Sequence, residues 1–131
     1  EDCHVILRGG KEPNYNAESV SQVVEQLTAG GVNSKVMVDF SHGNSRKQFD
    51  RQPIVCRDVA RQIEDGSEQI FGVMIESHLE EGNQSAKPGQ TLKYGQSITD
   101  ACVSWGTTVA MLNELATAVR KRRDNKAKAS A

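Results

Sequence analysis

Four positions or clusters in this sequence contain residues that could do chemistry. Three directly follow apolar runs, at Arg8-Gly9-Gly10-Lys11, at Ser41-His42-Gly43-Asn44-Ser45 and at Glu76-Ser77-His78; the fourth is Asp100, after a long polar stretch. An imidazole nitrogen with carboxylate oxygens suits Mn²⁺, Fe²⁺, Co²⁺ or Zn²⁺, and residue types alone do not choose among these metals. Arginine beside glycines suits a phosphate, since guanidinium is a planar donor fork and glycine lets a ligand approach the backbone. The sequence therefore offers His42, Glu76 and Asp100 as metal ligands and Arg8 as an anion-binding residue.

Each of these four residues also has a purely structural interpretation. Arg8 would be a surface residue of a strand-ending turn, and His42 would be a hydrogen-bonded histidine of the fold. Glu76 ends an apolar run, where a lone charge is costly, so it needs a metal, a hydrogen-bond donor or a neighbouring arginine. Asp100 would cap a turn. Asp39 lies inside another apolar run. It would either contact a metal ligand without binding the metal itself or point into the interior of the fold.

Three apolar runs, at residues 3–7, 35–40 and 70–76, are the predicted strands. Their continuous apolar character is typical of parallel strands covered on both faces. Ligands bind at the carboxyl ends of such strands, and the direction of the chain brings the three clusters to that edge. This coincidence favours a functional interpretation of the clusters.

Three further segments have apolar residues at helical spacing. The predicted stripes are Val20, Val23, Val24 and Leu27; Val55, Cys56, Val59, Ala60 and Ile63; and Thr108, Leu112, Leu115, Ala116 and Val119. Gly30-Gly31 ends the first helix and Gly66 the second, because glycine readily adopts the conformation that follows a helix. The order β-α-β-α-β-loop-α predicts an α/β fold with parallel strands. Three such βα units would be three of the eight in a (β/α)8 TIM barrel, which has about 250 residues.

Two segments lack these patterns. Residues 78–99 are polar and too many for an ordinary connection, and loops of that length are functional or disordered. Residues 124–131 have no apolar stripe and are predicted to be a disordered basic tail, which leaves residues 1–123 as one domain. The first predicted strand begins almost at residue 1, which is Glu. The chain is therefore expected to be a fragment, or the remainder of a longer chain, with a processed natural start as the alternative.

Composition argues against several classes of function. The 16 Lys and Arg residues balance 17 Asp and Glu residues, so neither nucleic acid nor an anionic membrane surface is an expected partner. No apolar run approaches the ~20 residues of a membrane helix. The three cysteines, Cys3, Cys56 and Cys102, form no CxxC pair, which favours a reducing cytoplasm over a disulfide framework. No HExxH, P-loop or GxSxG motif is present.

Five strings in order carry a family resemblance that spans residues 1–123. They are Ile-Leu-Arg-Gly-Gly-Lys at 6–11, Asp-Phe-Ser-His-Gly-Asn-Ser at 39–45, Gly-Val-Met-Ile-Glu-Ser at 72–77, Glu-Gly-Asn-Gln at 81–84 and Lys-Tyr-Gly-Gln-Ser-Ile-Thr-Asp-Ala-Cys at 93–102. Together they closely resemble the type I 3-deoxy-D-arabino-heptulosonate-7-phosphate (DAHP) synthases of bacteria and fungi. The related 3-deoxy-octulosonate 8-phosphate synthases share the chemistry but resemble these strings less well.

The resemblance implies that the three strands are the sixth to eighth of a TIM barrel. It implies an enzyme that condenses phosphoenolpyruvate with erythrose 4-phosphate to DAHP and phosphate, the first step of the shikimate pathway to aromatic amino acids. Arg8 would hold the phosphoenolpyruvate phosphate. His42, Glu76 and Asp100 would bind a divalent Mn, Fe, Co or Zn ion, with His42 also close to the substrate. We further expect a cytoplasmic homo-oligomer, a dimer or a tetramer.

Several family features are absent from these 131 residues. The family's cysteine metal ligand, its Lys-Pro-Arg-Thr substrate loop and further phosphate-binding cations belong to the N-terminal part of the barrel, and none of Cys3, Cys56 and Cys102 matches that ligand. The alternative is therefore that this chain alone is a non-catalytic fragment, which binds phosphate or metal and needs the N-terminal part for activity.

Overall fold

The computed structural model describes residues 3–130, which form a three-stranded parallel sheet with helices packed on it. The strands, β1 (Val5–Leu7), β2 (Val36–Asp39) and β3 (Ile70–Met74), lie side by side in chain order. The helices are α1 (Ala17–Ala29), α2 (Gln52–Glu64), which follows a short 3₁₀ helix at Phe49–Arg51, and α3 (Trp105–Ala129). The predicted α/β alternation and parallel pairing are confirmed. Within residues 3–130, no helix combines the length and the apolar character needed to cross a membrane.

Local capping signals determine where the helices begin and end. The side chain of Asn16 accepts a hydrogen bond from the backbone N–H of Ser19 at 2.9 Å and so satisfies one free amide of the first turn of α1. The predicted end of α1 at Gly30-Gly31 is confirmed, and Gly31 there has a φ of +69°. Ser104 caps α3 in the same way as Asn16 caps α1, by accepting from the N–H of Thr107 at 3.2 Å.

The hydrophobic core lies between one face of the sheet and the helices. Val36 and Val38 of β2 and Val59 of α2 have no exposed surface. In contrast, Ile6 is 39% exposed and Phe71 is 49% exposed. The prediction of strands covered on both faces was wrong for residues 3–130, because the helices of this part of the chain all pack on the same side.

The strands are shorter than predicted. Residues 3–4, 35, 40 and 75–76 of the predicted runs lie outside the three strands, although the backbone N–H of Phe40 still donates to the backbone O of Met74 at 3.0 Å. Glu76 therefore lies two residues beyond β3 rather than at its last position. This places the carboxylate in the loop region above the sheet, where other loops can reach it.

The buried stripe of α3 also differs from the predicted one. The buried residues are Thr108, Met111, Leu115 and Ala118, whereas Leu112 is 47% exposed. A 3.6-residue period accommodates both the 108-112-115-119 row and the 108-111-115-118 row. Packing against α2 selects the second row, and there the Cys56 thiol lies 3.7 Å from the backbone O of Met111.

Residues 124–129, predicted to be disordered, instead continue α3. Ala and Lys are good helix formers, so an apolar stripe is not required for a helical extension of this length. Lys126 also forms an ion pair with Glu68 at 2.7 Å, and Lys121 forms one with Glu64 at 2.7 Å. Residues 1, 2 and 131, which the predicted domain and tail include, lie outside the described residues.

Candidate metal centre

Three side chains predicted as metal ligands meet above the carboxyl edge of the sheet. One ligand atom from each of His42, Glu76 and Asp100 lies within 4.8 Å of those of the other two. His42 Nε2 is 3.4 Å from Glu76 Oε1 and 4.0 Å from Asp100 Oδ2. Atoms that each lie about 2.1 Å from one shared ion are about 3–4 Å apart, so these spacings suit a divalent metal with little movement. One nitrogen and two carboxylates also match the ligand chemistry of such an ion.

The fourth predicted residue, Arg8, lines the same cavity. This cavity has a volume of about 230 Å³. It is lined by Arg8, Ser41, His42, Lys47, Phe49, Glu76, Asp100 and Ala101. Lys47 is a second cation in this cavity and was not predicted from the sequence. Its position five residues after His42, in the same loop, could have indicated that it lies near the site. The cavity therefore combines a carboxylate-rich end with two exposed cations.

The loop that carries His42 has an unusual backbone. The non-glycine residues with positive φ among residues 3–130 are His42 at 50°, Arg46 at 54° and Lys47 at 59°. This left-handed conformation is costly for residues with a Cβ and persists where surrounding contacts over-determine it. Here the backbone N–H of Lys47 donates to the backbone O of His42 at 2.8 Å. Two of these three residues, His42 and Lys47, line the cavity.

A close backbone contact joins the end of β1 to this loop. A Cβ on Gly43 would lie 2.7 Å from the carbonyl carbon of Gly9, so neither position has room for a side chain. Asn44 is 2% exposed, and its side-chain N–H₂ donates to the backbone O of Leu7 at 3.0 Å and of Asp39 at 2.8 Å. The Asn44 contacts therefore hold the segment before Arg8 against the loop that carries His42.

Glu76 is held from the helix side by Gln52. Gln52, at the start of α2, is fully buried and makes two hydrogen bonds to the backbone of Glu76, one as acceptor from its N–H and one as donor to its O, both at 3.0 Å. The Ser41 hydroxyl donates to the Glu76 carboxylate. No arginine forms an ion pair with Glu76 among residues 3–130, so the salt-bridge interpretation of this residue has no support there. Neither Gln52 nor Asn44 was predicted, because amides carry no signal in the sequence that separates supporting residues from surface ones.

Asp100 reaches the site because the long polar segment after β3 folds back on itself. Gly82 and Cys102 exchange two backbone hydrogen bonds, at 2.8 and 3.1 Å, and the N–H of Val103 donates to the backbone O of Glu76 at 3.0 Å. The Asp100 side chain is 74% exposed and lies at the mouth of the cavity. The segment is therefore ordered, and it returns a carboxylate to the end of β3.

The nearby thiols are poor candidates for further ligands. Burial, followed by the negative charge of Glu76, raises the pKa of Cys102. Burial also raises the pKa of Cys56 to about 12, and the Cys56 thiol lies in the hydrophobic core, 3.7 Å from the backbone O of Met111. Neither thiol belongs to the cluster of His42, Glu76 and Asp100, whose ligand atoms lie within 4.8 Å of one another.

Comparisons with known proteins agree with the family resemblance found in the sequence. Residues 1–113 match the family described as the DAHP synthetase I family. The chain is 58% identical over 122 residues to the Phe-sensitive phospho-2-dehydro-3-deoxyheptonate aldolase of Escherichia coli K12, covering 93% of this chain and 35% of that protein. It is 53% identical over 130 residues to the tyrosine-inhibited enzyme of Schizosaccharomyces pombe, covering 95% of this chain and 35% of that protein.

A solved structure is similar in fold as well as in sequence. The phospho-2-dehydro-3-deoxyheptonate aldolase of Francisella tularensis superposes with a TM-score of 0.85 at 50% identity, over 91% of this chain and 35% of that one. The chain thus spans about a third of the length of the relatives it matches. With a family match over 113 of its residues, this chain belongs to the DAHP synthetase I family.

Proposed function

We propose that the full-length protein containing this chain is a metal-dependent DAHP synthase. It condenses phosphoenolpyruvate with erythrose 4-phosphate to give DAHP and phosphate, and residues 1–123 form the C-terminal part of its TIM barrel. The observation that carries this proposal is the convergence of Arg8, His42, Glu76 and Asp100 on one cavity, in a chain whose relatives are named for this aldolase activity.

The barrel proposal also accounts for the open face of the sheet. Ile6 and Phe71 are exposed on the side away from the helices, so this face of the sheet presents apolar surface to solvent. In a closed barrel, this face points into an interior filled by side chains of all eight strands. The remaining strands would come from the part of the protein that precedes the matched region.

Five residues of the cavity have roles in the proposed reaction. Arg8 binds the phosphate of phosphoenolpyruvate through its planar donor fork, and Lys47 adds a positive charge to the same cavity. His42, Glu76 and Asp100 hold a divalent ion, one of Mn, Fe, Co or Zn, and a fourth ligand comes from outside this chain. When bound, such an ion polarises a substrate carbonyl as a Lewis acid. Fixing both substrates by their charged groups lowers the entropic cost of bringing the reacting carbons together.

The function is tested with the full-length protein, both substrates and Mn²⁺. His42→Ala should lower kcat/KM roughly 1,000-fold, since it removes a ligand whose ion contributes several kcal/mol to the transition state. His78→Ala is the matched control, because His78 lies at the same edge but is exposed, and its ring accepts a hydrogen bond from the backbone N–H of Leu79 at 2.9 Å. Turnover of the His42 variant at the wild-type rate would contradict its assignment, and a wild-type protein without condensation activity would contradict the function.

A second candidate applies to the 131-residue chain alone, which would bind phosphate or metal without catalysis. The open sheet face favours it, because a TIM-barrel site is built from the loops of eight strands and residues 3–130 supply three of these strands. DAHP formation by the isolated chain would rule it out. The cytoplasmic location and the dimeric or tetrameric state stay predictions, which fractionation and sedimentation of the full-length protein would test.

A further inference from the structure

The last residue of β2, Asp39, lies directly behind the candidate metal-binding histidine. Asp39 is 2% exposed, and both of its carboxylate oxygens are used. Oδ1 accepts from the backbone N–H of Ser41 at 2.8 Å, and Oδ2 lies 2.7 Å from His42 Nδ1. An ionised carboxylate can only accept hydrogen bonds, so the proton of this contact belongs to Nδ1 of the imidazole.

This contact determines what the opposite ring nitrogen presents to the cavity. With the proton on Nδ1, the neutral ring has a free lone pair on Nε2, which points towards Glu76 Oε1 at 3.4 Å and Asp100 Oδ2 at 4.0 Å. Lone pairs of three groups then converge on one point, which a cation stabilises and which is unfavourable without one. Carboxylates that accept from the second nitrogen of a metal-bound histidine act in this way in other metal sites.

The charge of Asp39 is otherwise uncompensated within residues 3–130. Oδ2 is paired with the His42 imidazole at 2.7 Å, and no lysine or arginine of residues 3–130 lies within ion-pair distance of the Asp39 carboxylate. A buried carboxylate without a cationic partner is unfavourable, so the arrangement needs positive charge, which an ion beyond the imidazole would supply. His42, which makes this contact, has a left-handed backbone at φ 50°. Its strain is consistent with a contact that serves function rather than stability.

We propose that Asp39 is a positioning residue, which holds His42 in the Nδ1–H form with Nε2 aimed at the metal and thereby sets the affinity of the site. The proposal rests on the proposed function for its catalytic consequence, but the orientation of the ring can be measured without a metal or a substrate. Asp39 does not touch the reacting groups and acts through His42.

The sharpest variant is Asp39→Asn, which keeps the shape and removes one acceptor. An amide has one oxygen, so it can accept from Ser41 or from His42 but not from both. If its N–H₂ faces His42, Nδ1 must become the acceptor, and the ring proton moves to Nε2, where it blocks the metal. If its N–H₂ faces the N–H of Ser41, two donors oppose each other. Asp124→Asn is the matched control, since Asp124 is exposed on α3, far along the chain from the site.

Two measurements on the full-length protein test the proposal. Mn²⁺ binding followed by calorimetry should weaken roughly 10–100-fold in Asp39→Asn and stay unchanged in Asp124→Asn. In the metal-free protein labelled with ¹⁵N-histidine, and with the His42 signals assigned by their loss in His42→Ala, the wild type should show Nδ1 protonated and Asp39→Asn should show Nε2 protonated. A change in tautomer distinguishes positioning from a general loss of stability, which would not select one ring nitrogen.

The outcomes separate this proposal from the proposed function. A wild-type His42 with the proton on Nε2 would overturn the positioning role even if Asp39→Asn failed to fold. Unchanged Mn²⁺ affinity and tautomer in Asp39→Asn would overturn it while leaving DAHP synthesis intact. Conversely, the expected tautomers in a protein without condensation activity would support the positioning role and contradict the proposed function.

Discussion

The carboxyl edge of the sheet and the interface between α2 and α3 are both well buried, but they bury different kinds of residue. The edge buries polar side chains, namely Asp39, Ser41, Asn44, Ser45 and Gln52. The interface buries Cys56, Val59, Ala60, Met111, Leu115 and Ala118, of which none carries a charge. No buried side-chain nitrogen or oxygen of residues 3–130 lacks a hydrogen-bond partner, so the polar edge is a completed network.

The backbone conformation also differs between the carboxyl edge and the α2–α3 interface. The left-handed non-glycine residues of the described chain all lie in the loop after β2, whereas α2 and α3 have regular helical geometry. Strain and buried polar groups lower stability, and apolar packing of helices raises it. We infer that the carboxyl edge holds the candidate site residues in position and lowers the stability of the fold. The α2–α3 interface supplies the stability that offsets this loss. The following substitutions in the full-length protein test this division.

The largest effect is expected at the edge, from Glu76→Gln. Removing the negative charge of one candidate ligand should lower kcat/KM roughly 1,000-fold and weaken Mn²⁺ binding, as measured by steady-state kinetics and calorimetry. The thermal midpoint should change little, because the bonds between Gln52 and Glu76 involve the backbone of Glu76. Glu81→Gln, an exposed change in the following loop, is the control. A large loss of stability in Glu76→Gln with normal metal binding would contradict the inference that the carboxyl edge serves the site and not the stability of the fold.

At the interface, Met111→Ala should have the opposite signature. Met111 is 2% exposed, so its truncation leaves a cavity and should lower the free energy of unfolding by about 2–5 kcal/mol in urea titrations. Mn²⁺ affinity of the folded protein should stay unchanged. Leu112→Ala is the matched control on the neighbouring row of α3, where Leu112 is 47% exposed, and it should cost under about 1 kcal/mol. Equal losses in the two variants would contradict the observed face of α3.

Gln52 belongs to both regions and should show a mixed effect. Gln52→Ala removes both side-chain bonds to the backbone of Glu76 and leaves buried groups unpaired. We expect a loss of about 2 kcal/mol of unfolding free energy together with weaker Mn²⁺ binding. Gln22→Ala on the exposed side of α1 is the control, and urea titration with calorimetry measures both quantities. A loss of stability without a change in Mn²⁺ affinity would assign Gln52 to the helix region alone.

The smallest effect concerns the reactivity of the cysteines. Iodoacetamide attacks the thiolate, and the pKa of Cys56 is raised to about 12 by burial, so its thiolate is scarce at pH 8. Cys3 is exposed and should be labelled first, Cys102 more slowly, and Cys56 only after unfolding or at strongly alkaline pH. Mass spectrometry of labelled peptides over time measures this order. Early labelling of Cys56 in the folded protein would mean that the α2–α3 interface opens.

The alternation of apolar runs and helical stripes in the sequence determined the fold class and the meeting of the polar clusters. Parallel strands share one direction, so residues that follow β1, β2 and β3 must lie at one edge, whatever packs around them. This is why Arg8, His42 and Glu76 were predicted to lie together from their positions alone. Asp100 was harder to place, because it depends on how a long segment folds back rather than on a strand end.

Where the local sequence allows several arrangements equally well, only the tertiary structure shows which one forms. Both apolar rows of α3 satisfy the helical period, and contact with α2 selects the one that contains Met111. The extension of α3 beyond residue 123 is accompanied by a pair between Lys126 and Glu68, which are 58 residues apart in the chain. The support of Glu76 by Gln52 is likewise invisible in the sequence, because hydrogen bonds between distant residues follow from side-chain direction and not from local pattern.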